Sequence, residues 1–352
     1  MAVQGRESWG ISASKVGGCY DRPASPIVLR GQDAGSGRGC RVDQGIRRVG
    51  QSVNRGWTKS LWRGREQRIA REVADNVQKV RPKFERPPLI EQAITVIFDE
   101  LSDFSLGDFG LYWAQIRDAF PHSEAQPLIE SRIEDFGEFR PREMTFRIIP
   151  AETLPRCTYR SEDGSELVQV QQDRFTFNWS GSPDRAYPHS EATVARFAEL
   201  FRGFLAYLER RAIATPAIRQ CEIINVNIVP VADIGGTYAD APAFFNIPTA
   251  DVLADFLPAE SYAVNTQRRI LREGEPIGRL YSALSPVIRS DDGVQAYRLE
   301  ITARGAPLGT TLEGVLAFFD IARSAINAAF MAATTPAARL FWREIDGNSS
   351  AG

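Results

Sequence analysis

Lysine is nearly absent from this chain, with Lys15, Lys59, Lys79 and Lys83 standing against 38 arginines. Nothing after Lys83 can form a Schiff base or serve as the lysine of a phosphate-binding P-loop. Histidine is as scarce. His122 and His189 are the only two, too few for the usual zinc clusters. Each falls at an expected helix boundary, where a surface histidine is commonplace. Four cysteines, Cys19, Cys40, Cys157 and Cys221, have neither metal-ligand spacing nor the pattern of a disulfide framework. Cys157 and Cys221 fall in expected strands, the setting of small buried hydrophobes.

No uninterrupted apolar run approaches the roughly 18 to 20 residues that cross a bilayer. The N-terminus lacks the compact apolar segment of a secretory signal, and Arg47-Arg48 is not followed by one. There is no Gly-x-Ser-x-Gly elbow, and GGTYADAP lacks the strand-to-helix setting of a dinucleotide fingerprint. These absences point to a soluble cytoplasmic protein to which no catalytic residue, metal or cofactor is assigned.

What is present is ample apolar material, 43% hydrophobic and 10% aromatic over 352 residues. The charge is unevenly spread. Residues 1–72 carry 14 Lys plus Arg against 6 Asp plus Glu, and the remainder 28 against 38. The acidic body argues against a nucleic-acid groove spread over it. Residues 1–72 are rich in Gly, Arg and Ser and have no helical or strand periodicity, so a disordered tail is expected. It reads as a basic arm, a transit peptide, or an artefactual N-terminal extension translated from an early start. The arginine bias fits GC-rich coding DNA, in which frames stay open upstream of true starts, and this favours the extension, with a start near Val73.

The body reads as α+β: antiparallel sheets, each covered by a long amphipathic helix, in two halves of similar plan at 82–230 and 250–345, with residues 346–352 frayed. LIEQAITVIFDEL is a first strand entered through Pro87 and Pro88, and FGLYWAQIRDAFP a helix. Strands follow around MTFRIIP, RCTYRS and LVQVQQDRFTFNW. YPHSEATVARFAELFRGFLAYLERRAI is the clearest helix, capped by Ser190, with Val194, Phe197, Phe201, Leu205 and Leu208 on one stripe. CEIINVNIVP is the next strand. In the second half, TADVLADFLP is a short helix, and YAVNTQRRI, IGRLYSALS and VQAYRLEITA are strands. The last long helix aligns Leu312, Val315, Phe319, Ala322, Ile326 and Phe330, and a short ARLFWRE end docks through Phe341 and Trp342.

The central hairpin can be set in register. A turn at Gln172-Asp173 pairs Val170 with Phe175 and Val168 with Phe177, which puts Val168, Val170, Phe175, Phe177 and Trp179 on one face. Gln169, Gln171, Arg174, Thr176 and Asn178 fall on the other. Asn225 and Asn227 alternate with Ile224, Val226 and Ile228, and extend the polar row if their strand pairs nearby. Amides donate and accept without a large desolvation penalty, so the row is a candidate recognition face.

RPPLIEQAITVIF, LVQVQQDRFTFNW, YPHSE and FFDIARSAINAAFMAATTPAARLFW resemble a sporadically distributed bacterial family of uncharacterised proteins, over roughly Pro82 to Trp342. The resemblance implies a domain beginning close to the Pro-Pro motif and a bacterial accessory gene, with no activity attached. The family pattern includes a histidine near Ala322-Arg323, which this chain lacks.

Three functions follow in order. The first is a non-catalytic module that binds another protein through the amide row. The alternative is a small-ligand-binding protein with a pocket between helices and sheets, lined by Trp179, Phe201 and Phe319. The third is a divalent-metal hydrolase built on carboxylates. Its candidates are Glu130, Glu134, Asp135 and Glu138, the first two at helical spacing, and the turn pair Asp291-Asp292. Glu300 is expected near the sheet interior, paired with an arginine.

Overall fold

Proline sets the first boundary of the fold. Pro87 and Pro88 have no amide hydrogen to give a ladder, and strand β2, Leu89–Phe98, begins directly after them. The structure, a computed structural model, describes residues 82–137, 154–181, 187–248 and 256–345. Outside these lie residues 1–72 and 346–352, the expected strand MTFRIIP, most of the expected helix TADVLADFLP, and Glu138.

A two-residue strand β1, Lys83–Phe84, precedes β2. Helix α1, Leu106–Ile116, follows, and then β3, His122–Gln126. Strands β4, Arg156–Arg160, β5, Glu166–Gln171, and β6, Arg174–Ser180, lead to the long helix α2, His189–Arg210. Next come β7, Ile218–Pro230, a short helix α3, Val231–Ile234, and a 3₁₀ turn, Tyr238–Ala243. The remaining strands are β8, Val264–Arg272, β9, Glu275–Ile288, and β10, Gln295–Gly305. The chain ends in α4, Leu312–Ala333, α5, Pro336–Phe341, and β11, Glu344–Ile345, which pairs with β1.

The protein is a mixed α+β fold in which the strands expected in two sheets run on as one. The order is β3-β4-β5-β6-β2-β7-β10-β9-β8, antiparallel throughout. The join is β7, which pairs with β2 on one side and β10 on the other. The β5–β6 hairpin has the register that alternation predicts, Val168 with Phe177, Val170 with Phe175, Gln169 with Thr176 and Gln171 with Arg174.

One sheet face is apolar at its centre. Ile94 and Val96 of β2 lie between Phe177 and Phe175 of β6 and Ile223 and Cys221 of β7. Helix α2 sets Phe197, Phe201 and Phe204 around the Phe175 ring at 6.0, 5.3 and 5.2 Å. Each such aromatic contributes on the order of 1.5–3 kcal/mol by leaving water. Phe197 also meets Phe319 of α4 edge-on at 5.4 Å, tying the two long helices together. All six residues of the expected α4 stripe are buried, and so is most of the α2 stripe. By length and composition α4 is apolar enough to span a membrane, with a mean hydropathy of 1.4 over its most apolar stretch. In this fold its stripe lies in the shared core.

Helix boundaries differ from expectation for local reasons. Helix α1 starts at Leu106 because Asp108 accepts hydrogen bonds from the Ser105 amide and hydroxyl, at 2.9 and 2.6 Å, closing a capping box. Helix α2 starts at His189, not after Ser190, and His189 takes a left-handed φ of 66°. Strand β3 was not expected, since HSEAQ has no apolar alternation; it is a largely exposed edge strand held by β4.

Gly278 and Gly305 are directly paired on β9 and β10, and the ring of Phe318 from α4 rests over them. A methyl group on Gly305 would overlap that ring. We expect Gly305→Ala to destabilise the fold by about 1–3 kcal/mol through overpacking, with Phe318→Leu restoring part of the loss in the double variant. Urea denaturation checks this, and an unchanged midpoint for Gly305→Ala would contradict the packing.

Candidate functional site

The amide row is a hydrogen-bonded layer inside the fold. Gln169, Gln171, Thr176 and Asn178 are all buried. Arg156 of β4 donates to the Gln169 side-chain oxygen. Gln169 donates to Asn178 at 2.6 Å, and Asn178 donates to Glu91 of β2 at 2.8 Å. The Thr176 and Thr95 hydroxyls meet at 2.9 Å. A chain of polar contacts thus crosses four neighbouring strands.

Residues 127–137 cover this layer. Gln171 accepts from the Ile129 amide and donates to the Ile129 carbonyl, both at 2.8 Å, as a neighbouring strand would. Gln220 does the same further along, accepting from the Glu134 amide at 2.9 Å and donating to the Arg132 carbonyl at 3.3 Å. Arg174 donates to Ser131 at 3.3 Å. The segment is extended, so the helical spacing expected of Glu130 and Glu134 is not realised.

Glu134 ends the segment in a charge cluster. It accepts from Arg279 and Arg304, each at 2.9 Å, and from the Tyr281 hydroxyl. Arg304 also pairs with Glu222 of β7. Burial pushes the Glu134 carboxyl up, but the hydrogen bonds from Tyr281 and Arg304 and the two arginine charges outweigh it and hold the carboxyl below its ordinary value. The other expected carboxylates are elsewhere. Glu130 pairs with Arg132 at 3.2 Å, Asp135 accepts from the Gly137 amide at 2.9 Å, and Asp291 and Asp292 pair with Arg289 in their turn. Among the described residues no group of three or more His, Cys, Asp or Glu is placed to hold a metal. Glu300 is half-buried and pairs with Arg298. Cys157 and Cys221 are buried free thiols, both pushed up by burial.

Asn225 and Asn227 do not join the row. Pairing sets Glu222 opposite Thr95 and Ile224 opposite Ala93, so the even positions of β7 share the row's face. The odd positions, Cys221, Ile223, Asn225, Asn227 and Val229, face the long helices. Ile224, Val226 and Ile228, the more conspicuous apolar set in the sequence, lie on the row's face. Trp179, Phe201 and Phe319, expected to line a pocket, are packed core residues: Phe201 meets Phe175, Phe319 meets Phe197, and Trp179 meets Tyr187 at 5.0 Å.

The two asparagines instead line a cavity of ≈ 260 Å³ on the helix side. Asn225, Asn227 and Ile301 come from the sheet, and Phe84, Pro88 and Leu89 from the entry to β2. Tyr187, His189 and Ser190 come from the start of α2, and Arg323, Asn327 and Phe330 from α4. The cavity opens where the two prolines end the β2 ladder and a bulge at Ile90 shifts its register against β7.

The polar groups here are oriented. Asn227 is 4% exposed and donates Nδ2 to the Leu299 carbonyl at 3.0 Å, so its Oδ1 has no donor among the described residues. Asn225 accepts at Oδ1 from Gln92 at 2.8 Å, and its Nδ2 has no acceptor among the described residues. Gln92 is bonded in turn to Thr193 of α2. Burial pushes the Tyr187 hydroxyl up to about 12, against hydrogen bonds with Ser190, Gln92 and Thr193 that lower it, so it stays protonated at neutral pH. Arg323 donates to Asp320 at 2.9 Å and lies 3.7 Å from Glu191. Its Nε is buried with no hydrogen-bond partner among the described residues.

A depressed carboxylate stabilises the fold above its unfolded pKa, and that contribution is lost as pH falls through the folded value. Glu134→Gln should therefore lower the melting temperature at pH 7, with the gap to the wild type closing below about pH 4. A gap that persists unchanged at pH 3 would contradict the charge cluster. No family model matches the chain, and no curated protein matches it at a significant level.

Proposed function

We propose that the protein binds a small polar ligand in the cavity between the β2 entry, β7 and the two long helices. The observation that carries this reading is the pair of pinned amides. Asn225 and Asn227 each have one polar atom with no hydrogen-bond partner among the described residues, and both line the cavity, whereas the amides on the opposite face are bonded into the fold. A ligand that meets both open atoms adds two hydrogen bonds, each with a net worth of about 0.5–1.5 kcal/mol. The cavity lies just under the usual range of ligand sites, about 300–1,000 Å³, and has their mix of apolar walls and few convergent polar groups. Three segments singled out in the sequence, RPPL, YPHSE and FFDIARSAINAAF, meet at this one place.

The halves add support. Each runs from a strand through a helical segment and a meander to a long helix, β2 to α2 and β7 to α4. We infer from this a structural duplication whose two long helices share one sheet face, with the cavity where they flank β7.

Docking of another protein has one observation in its favour. The row already holds an extended acidic segment, residues 127–137, through Gln171 and Gln220. That face is occupied from within the chain, so it supports the reading less than the open cavity supports ligand binding.

Melting of the full chain against a broad panel of metabolites tests the proposal. A ligand at 100 times its dissociation constant adds about 2.7 kcal/mol, a rise of several degrees for a domain of this size. The shift should vanish in Ser324→Trp, which fills the cavity from α4. No shift across the panel, or one that Ser324→Trp leaves intact, would contradict it.

A further inference from the structure

The open atoms of the cavity have opposite polarity. The Leu299 carbonyl can accept only from the nitrogen of Asn227, so the atom turned to the cavity is the Oδ1 acceptor. Gln92 engages the oxygen of Asn225, so the atom turned to the cavity there is the Nδ2 donor. The two residues share a face two positions apart, about 6.6 Å along the strand. A matching ligand offers an acceptor at one end and an N–H or O–H at the other.

Two more observations narrow the class. Phe84 and Phe330 both line the space, edge to face with centroids 5.7 Å apart, and aromatic walls favour flat partners. At the rim Arg323 sits between Asp320 and Glu191 with its Nε unpartnered among the described residues, and Lys83 adds a second cation, so groups that accept hydrogen bonds are favoured there.

We propose that the ligand is a planar nitrogen heterocycle of nucleobase size, with a ring carbonyl or nitrogen accepting from Asn225 and a ring N–H donating to Asn227. This rests on the cavity being a ligand site. It goes further in naming the chemistry that the site selects.

Isothermal titration of the full chain with uracil, cytosine, adenine and hypoxanthine, and with 1,3-dimethyluracil as the analogue stripped of its N–H donors, tests the assignment. At least one base should bind, and methylation should weaken uracil-type binding by tenfold or more. Asn227→Leu should weaken the base about tenfold and abolish the discrimination against the methylated analogue. Asn225→Leu should weaken the base similarly and stands in if the first variant does not fold. Equal binding of uracil and dimethyluracil, or no binding of any base, would overturn the heterocycle assignment. If none binds while the metabolite panel yields another ligand sensitive to Ser324→Trp, the assignment falls and the ligand site stands. If the panel also yields nothing, both fall.

Discussion

The antiparallel pairing of β2 with β7 is the constraint on which the rest depends. It joins two sets of strands into one sheet, of nine strands among the described residues, and its register decides which side every polar side chain of the central strands must take. Ile94 opposite Ile223 and Val96 opposite Cys221 lock the apolar face beneath the helices. Because side chains alternate strictly, the same lock sends Glu222 to the opposite face and Asn225 and Asn227 toward the helices. A slip of one residue would bury Glu222 among phenylalanines.

The two faces then handle polar groups in different ways. On one, amides, hydroxyls and arginines are bonded to each other and to residues 127–137, with Glu134 gathering Arg279, Arg304 and Tyr281. Buried networks of this kind help to specify a structure, and here Arg174 Nε is the member without a partner among the described residues. On the other, the prolines before β2 and the bulge at Ile90 leave room beside β7, and two amides each keep an atom without a partner among the described residues.

Much of the architecture was legible from alternation and periodicity. The hairpin at Gln172-Asp173 has its expected register, and the α4 stripe is buried residue for residue, because these patterns are long and each has one apolar side. Strand β3 was illegible, since an exposed edge strand needs no apolar face. The union of two sheets into one was illegible too, because strand order is set by contacts between residues such as Glu91 and Val226 that are far apart in the chain.

The site was legible only in pieces. Asn225 and Asn227 were picked out but placed on the wrong face, since Ile224, Val226 and Ile228 are a more conspicuous apolar set than Cys221, Ile223 and Val229. The cue was available in Cys221 and Ile223, which share parity with the asparagines. Glu134 was picked out as a possible metal ligand, and nothing local in PLIESRIEDFGEF foretells that Arg279 and Arg304 would meet it from more than 140 residues away.

The most direct test of the account is the reactivity of a cysteine placed at Asn227. In a Cys19→Ser, Cys40→Ser background, the native Cys157 and Cys221 are buried and slow to react. Asn227→Cys should then be labelled by a small methanethiosulfonate reagent much faster than Ile223→Cys, its neighbour on the same face within the packed core, and Ser324→Trp should slow it. Labelling of Asn227→Cys as slow as that of Ile223→Cys would mean that no reachable cavity lies beneath the helices, and the account would fail.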